Sequence, residues 1–267
     1  VFQYDFMQNA FIAGTAVAVM CGMVGVFVMA RGLSFIAHTF SHIGFSGASF
    51  AVLAGWDPFY GLVLFTLASA VAIGRLGVRF FRRDASISVI LSLFLGLGIL
   101  FLHLSAKQAS FVSSILFGSV VGISGRDVWQ IAGLSVLVLL ALALGYRMLK
   151  FDSFDPAGAQ AAGLPVAAIS AGFLVLMSIA VAEAVQIVGA LLVFTLMTIP
   201  ASSARCLTHS VFSMLIVSAA LAAAGVWIGL VLAYYTNWPA SFFITSVEAL
   251  IYFIALGLQQ ARERRPA

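Results

Sequence analysis

The stretch "FIAGTAVAVMCGMVGVFVMARGLSFIAHTFSHIGFSGASFAVLA", Phe11 to Ala54, decides the fold class. It holds two apolar runs, 11–30 and 33–54, parted only by Arg31 and Gly32. Each run has the roughly 20 residues that a helix needs to cross about 30 Å of hydrocarbon. A lone arginine between two such runs marks a membrane boundary.

The same pattern continues outward. Further apolar runs occupy 60–78, 86–104, 128–148, 166–185, 187–205, 212–235 and 240–258. Residues 166–205 are almost continuous and read equally as two helices or as one broken helix. A weaker run, "SFVSSILFGSVVGIS" (110–124), is too short to span and suits a re-entrant or interfacial helix with protein around its ends. The total is about eight to ten membrane segments. Composition agrees: 63% of the 267 residues are hydrophobic and 8% charged, too few charges to cover a soluble domain. The alternation of a barrel strand is absent. The sequence predicts an all-α integral membrane protein, a polytopic helical bundle in one domain over 1–267.

Lysine and arginine set the orientation. Arg31, Arg75, Arg79, Arg82, Arg83, Arg147, Lys150, Arg205, Arg262, Arg264 and Arg265 fall on one side of this map, and only Lys107 and Arg126 on the other. Basic residues collect on the cytoplasmic side, so the larger set and the C-terminus are expected inside and the 105–127 connection outside. Asp5, Asp57 and Asp127 fall on the outer side, either as an acidic entrance for a cation or as ordinary loop residues. The two cysteines, Cys21 and Cys206, form no disulfide framework or zinc motif and read as small apolar filler.

One cytoplasmic segment carries unusual punctuation: "FDSFDPAGAQAAGLPV", Phe151 to Val166. Asp155 can cap a helix whose first position is Pro156, the alanines favour helix, Gly163 suits a left-handed stop and Pro165 ends it. A short helix of about two turns is expected there, either a docking element for a soluble partner or a rigid connector.

Several chemistries are excluded. The only lysines, Lys107 and Lys150, follow Ala106 and Leu149, so there is no P-loop. No His-Glu-x-x-His motif occurs, "GFSG" at 44–47 is no nucleophile elbow, and "GLG" at 96–98 lacks a third glycine. Nothing points to an enzyme, a nucleotide site or a nucleic-acid partner.

Ionisable groups inside membrane segments are costly and default to function. They are His38, His42, His103, Glu183 and Glu248. His38 and His42 stand at i and i+4, one above the other on a helix face, a spacing that lets two imidazoles bind one metal ion. Glu183, followed at i+3 by Gln186, is either a third ligand or a group reaching water. Glu248 is expected to pair inside the bundle, and His103 lies near a membrane edge.

Three blocks, "FMQNAFIAGTAVAVMCGMVGVFVMARGLSFIAHTFSHIGFSGASF" (6–50), "FDPAGAQAAGLPV" (154–166) and "AVQIVGALLVFTLMTIPASSAR" (184–205), resemble permease subunits of bacterial ABC importers for zinc, manganese or ferrous iron. The likeness runs over nearly the whole chain. It implies that 151–166 is a coupling helix docking on a separate ABC-type ATPase, through Phe154, Asp155, Pro156, Ala159, Gly163, Leu164 and Pro165. It also implies an extracytoplasmic metal-binding protein that delivers the ion, a permease homodimer, and a multi-pass location in the inner (plasma) membrane. No tightly bound cofactor is implied; the divalent metal is cargo. The family commonly has Asp four residues before its second-helix histidine, in an "Asp-Ala-Leu-Ser-His" type of motif. Here the matching stretch is "HTFSH", so His42 matches the histidine and His38 replaces the acid. Imidazole suits zinc better than carboxylate does, which leans the expectation toward zinc over manganese or iron. The alternative is a stand-alone secondary transporter or channel for a metal ion or small solute, which inverted halves or charged relay chains would favour.

Overall fold

The computed structural model describes residues 4–76, 84–105, 115, 116, 118 and 123–263. Ten helices lie among them, with no strand: α1 (Asp5–Ala30), α2 (Ser34–Leu53), α3 (Pro58–Leu76), α4 (Asp84–Leu104), α5 (Gly125–Phe154), α6 (Pro156–Ala161), α7 (Val166–Val188), α8 (Ala190–Leu207), α9 (Val211–Thr236) and α10 (Ala240–Glu263). All but α2 and α6 are long and apolar enough to cross a membrane, eight helices in all. The 20 residues of α2 fall outside that set because His38, His42 and five hydroxyl residues dilute its hydropathy. It is instead enclosed by α3, α4, α7 and α8, and most of its surface is buried.

The centre of the bundle is α1, apolar all round and packed on α5, α7, α8 and α9. Between lipid-buried helices, association depends on close contact rather than on exclusion of water, so small residues set the approach. A Cβ on Gly22 would collide with the Ser218 backbone, one on Gly25 with Met197, and one on Gly47 with Gly61. The periphery is formed by α4 and α10, whose exposed leucines and phenylalanines suit lipid.

Residues 166–205 are two helices. Gly189, at φ +85°, breaks them, a conformation that a Cβ would strain. The Gly189 amide still closes the end of α7 on Val185 O (3.1 Å), so α8 starts without a loop. The 128–148 run extends further than hydropathy suggested, because α5 continues to Phe154. Phe151 to Phe154 therefore belong to that long helix and not to the short one.

The basic ends share one end of the bundle. Arg31, after α1, bonds to Ser153 near the end of α5 and to Ser170 near the start of α7. Gly74 of α3 faces Ala171 of α7, and Gly22 in the second half of α1 meets Ser218 near the start of α9. At the opposite end Asn9 donates to Ile123 O (3.1 Å). Two of the three aspartates expected on the outer side serve helix starts: Asp57 accepts from Phe59 N (2.8 Å), and Asp127 completes a capping box with Ser124. Arg79, Arg82, Arg83, Lys107, Arg264, Arg265 and most of the weak run 110–124 lie outside the described residues.

Candidate functional site

Local chemistry makes α2 a polar helix that can remain buried. Its hydroxyls turn back on the preceding turn: Thr39 donates to Phe35 O, Ser41 to Ala37 O, Ser46 to His42 O and Ser49 to Phe45 O. Ser46 also donates to Phe94 O of α4. The hydroxyl groups are thus satisfied within the protein. The histidines are not.

His42 is buried and His38 half-buried, and Nδ1 of each is enclosed without a hydrogen-bond partner among the described residues. Their ring centroids stand 4.7 Å apart with planes at 89°. His38 also meets the edge of Phe194 on α8 (5.1 Å) and lies beside Phe35 (6.1 Å). A neutral imidazole has one nitrogen donor and one acceptor. Two such rings side by side, walled by phenylalanine, offer a divalent ion a site of few ligands.

Glu183 does not join them. It is fully buried on α7, where Oε1 accepts from Ser135 Oγ of α5 at 2.5 Å. Its Oε2 and the Oε1 of Gln186 are enclosed without a partner among the described residues. No group of three or more His, Cys, Asp or Glu side chains gathers among the described residues. The sequence expectation that Glu248 pairs inside the bundle is corrected: it is fully buried, yet neither carboxyl oxygen has a partner among the described residues. The acid lies against Gly225 of α9, where a Cβ would collide with it. His103 sits, exposed, in the last turn of α4. Cys21 is buried, Cys206 is half-buried, and both are free thiols.

The short helix starts and stops where its residues predict. Asp155 Oδ1 accepts from Gly158 N (2.9 Å), and Pro156 takes the first position. At the other end Gly163 adopts φ +76°, with Gly163 N bonded to Gln160 O and Leu164 N to Ala159 O, both at 3.1 Å. This paired bonding satisfies the last carbonyls and needs a left-handed residue at Gly163. The helix is six residues long, shorter than the two turns expected. Ala159 is fully buried and holds α6 down on the helical bundle, whereas Ala157, Gln160 and Ala161 are exposed and Phe154 is half exposed.

Comparison with known proteins gives the context. The family model described as "ABC 3 transport family" matches residues 3–259. The manganese transport system membrane protein MntC of Listeria monocytogenes is 30% identical over 254 residues, covering 95% of this chain and 90% of that protein. The manganese import system permease protein ScaB of Streptococcus gordonii is 31% identical, covering 94% and 91%. Among solved structures, PsaBC from Streptococcus pneumoniae in complex with Fab superposes with a TM-score of 0.86 at 27% identity, covering 95% of this chain and 92% of that one. An inward-facing putative metal-chelate type ABC transporter shares the fold (TM-score 0.72, 16% identity, covering 94% and 85%). The lean toward zinc finds no support among these names. The metal they give is manganese.

Proposed function

The chain belongs to the ABC 3 transport family as a multi-pass membrane permease, and from that premise we propose that it forms the membrane pathway of an ATP-driven importer of a divalent transition metal, manganese foremost. The observation that carries this reading is the pair His42, buried, and His38, half-buried, each with an Nδ1 that has no partner among the described residues, on a helix wrapped by four others. Manganese is the metal in the names of the relatives. Coordination chemistry is compatible with it. Manganese binds a given nitrogen or oxygen site more weakly than the later divalent metals, and a transit site must release its ion. Two imidazoles that would grip zinc suit faster passage of manganese.

In this reading His38 and His42 contact the ion in passage, and Glu183 is a separate acidic station elsewhere in the bundle. The segment around α6 is the coupling element for an ABC-type ATPase on another chain, a reading supported by membership of the ABC 3 transport family. Phe154, Asp155, Pro156, Ala159, Gly163, Leu164 and Pro165 shape and seat it, and the exposed Ala157, Gln160 and Ala161 face the partner. An extracytoplasmic metal-binding protein delivers the ion, and two copies of the permease pair. Membership of this family sets aside the stand-alone secondary transporter. The test is reconstitution with the ATPase and the binding protein in liposomes. Manganese uptake that requires ATP supports the reading, and uptake indifferent to ATP contradicts it.

A further inference from the structure

Arg31 is held by more groups than a boundary arginine needs. Its Nη2 pairs with Asp152 Oδ2 at 2.6 Å, and the two side chains are only 8% and 3% exposed. Nε donates to Ser153 Oγ (2.8 Å), Nη1 donates to Ser170 Oγ (3.2 Å), and the guanidinium carbon lies 5.0 Å from the Phe173 ring centroid. Burial pulls the guanidinium below its ordinary range, and the charge and hydrogen bond of Asp152 oppose that pull.

The partners lie on both helices that flank α6. Asp152 and Ser153 are in the last turn of α5, just before Asp155 caps α6. Ser170 and Phe173 are in the first turns of α7, just after α6 ends. Arg31 itself is rigidly joined to α2. Its own N bonds to Phe27 O (3.0 Å), Gly32 N to Met29 O (3.1 Å) and Leu33 N to Val28 O (2.9 Å), and α2 begins at the next residue. His38 follows about one helical turn into α2.

We propose that Arg31 is a positioning residue that transmits displacement of α6 to the start of α2, and so to the histidine pair. The inference rests on the reading of α6 as the ATPase-docking element. A forked guanidinium bonded to two helices fixes their relative position in a way that non-directional apolar contact does not. When α5 and α7 shift around α6, the α1–α2 turn must follow.

Removing one partner alone leaves a buried charge and risks the fold. The informative variant is therefore the double replacement Arg31→Met with Asp152→Leu, since apolar residues of similar size often replace a buried pair without loss of stability. In liposomes with the ATPase and binding protein, the expected result has three parts. The melting temperature and bound ATPase are unchanged, ATP hydrolysis continues, and manganese transported per ATP falls about tenfold, within the usual span of coupling between two sites. Arg31→Lys keeps the charge but cannot reach Asp152, Ser153 and Ser170 together, and is expected to fall between. Wild-type transport per ATP in the double variant overturns the inference while leaving the docking reading intact. The docking reading is tested separately with Ala157→Arg on the exposed face of α6. Undiminished ATPase binding and uptake there overturn that reading and this inference with it.

Discussion

Ser135 of α5 donates a 2.5 Å hydrogen bond to Oε1 of Glu183 on α7, joining two membrane helices through two side chains with almost no exposure. With water scarce around it, Glu183 depends on this hydroxyl. Ser135→Ala is expected to cost about 1–3 kcal/mol of stability, the penalty of an unsatisfied buried polar group, read as a lower melting temperature in detergent. Glu183→Gln retains an acceptor for Ser135 and removes the ionisable group. It should leave melting near wild type and lower manganese uptake. Unchanged uptake in that variant removes Glu183 from the ion's route.

Glu248 is a different case. Its carboxyl is packed against Gly225 with no partner among the described residues, so burial of the polar group is a net cost. Glu248→Met is expected to raise stability by about 1 kcal/mol. A clear loss of stability would show that the acid has a partner in the assembled transporter.

For α6, the geometry separates seating from docking. Ala159 faces the permease, so Ala159→Arg should cost about 1–3 kcal/mol by overpacking as well as uncoupling. Ala157→Arg or Ala161→Arg, on the exposed side, should leave melting within about 0.5 kcal/mol of wild type and reduce copurifying ATPase. Full copurification with both arginine variants argues that another surface does the docking.

Orientation is checked by labelling. In a Cys206→Ser background, an impermeant maleimide applied to intact cells should modify Asp57→Cys and spare Gln160→Cys. Both positions are exposed at opposite ends of the bundle, and Cys21 is buried. The reverse labelling pattern inverts the topology.

Much of the bundle was legible because a helix crossing lipid has a minimum length and must be apolar. The α6 segment was legible for another reason: Asp155, Pro156 and Gly163 each have a narrow conformational use, and the structure uses them so. Hydropathy failed at ends that lie outside the apolar band. Arg147, Lys150 and Asp152 hide the continuation of α5 to Phe154. The histidine pair was visible because i and i+4 share a face whatever the surroundings. The separation of Glu183 from it depends on how α7 packs against α5, which no spacing encodes. The Arg31 clamp was invisible for the same reason, since Ser153 lies 122 residues away in sequence.

The central claim is that the ion passes along His38 and His42. Its direct test is initial-rate uptake of radioactive manganese into liposomes holding the permease, its ATPase and the binding protein, for wild type, His38→Ala and His42→Ala. The account predicts uptake at least about tenfold lower in each variant, as expected when a transit ligand is lost, with ATPase binding and basal hydrolysis unchanged. Wild-type uptake rates in both variants would contradict it and make the pair a structural feature of α2.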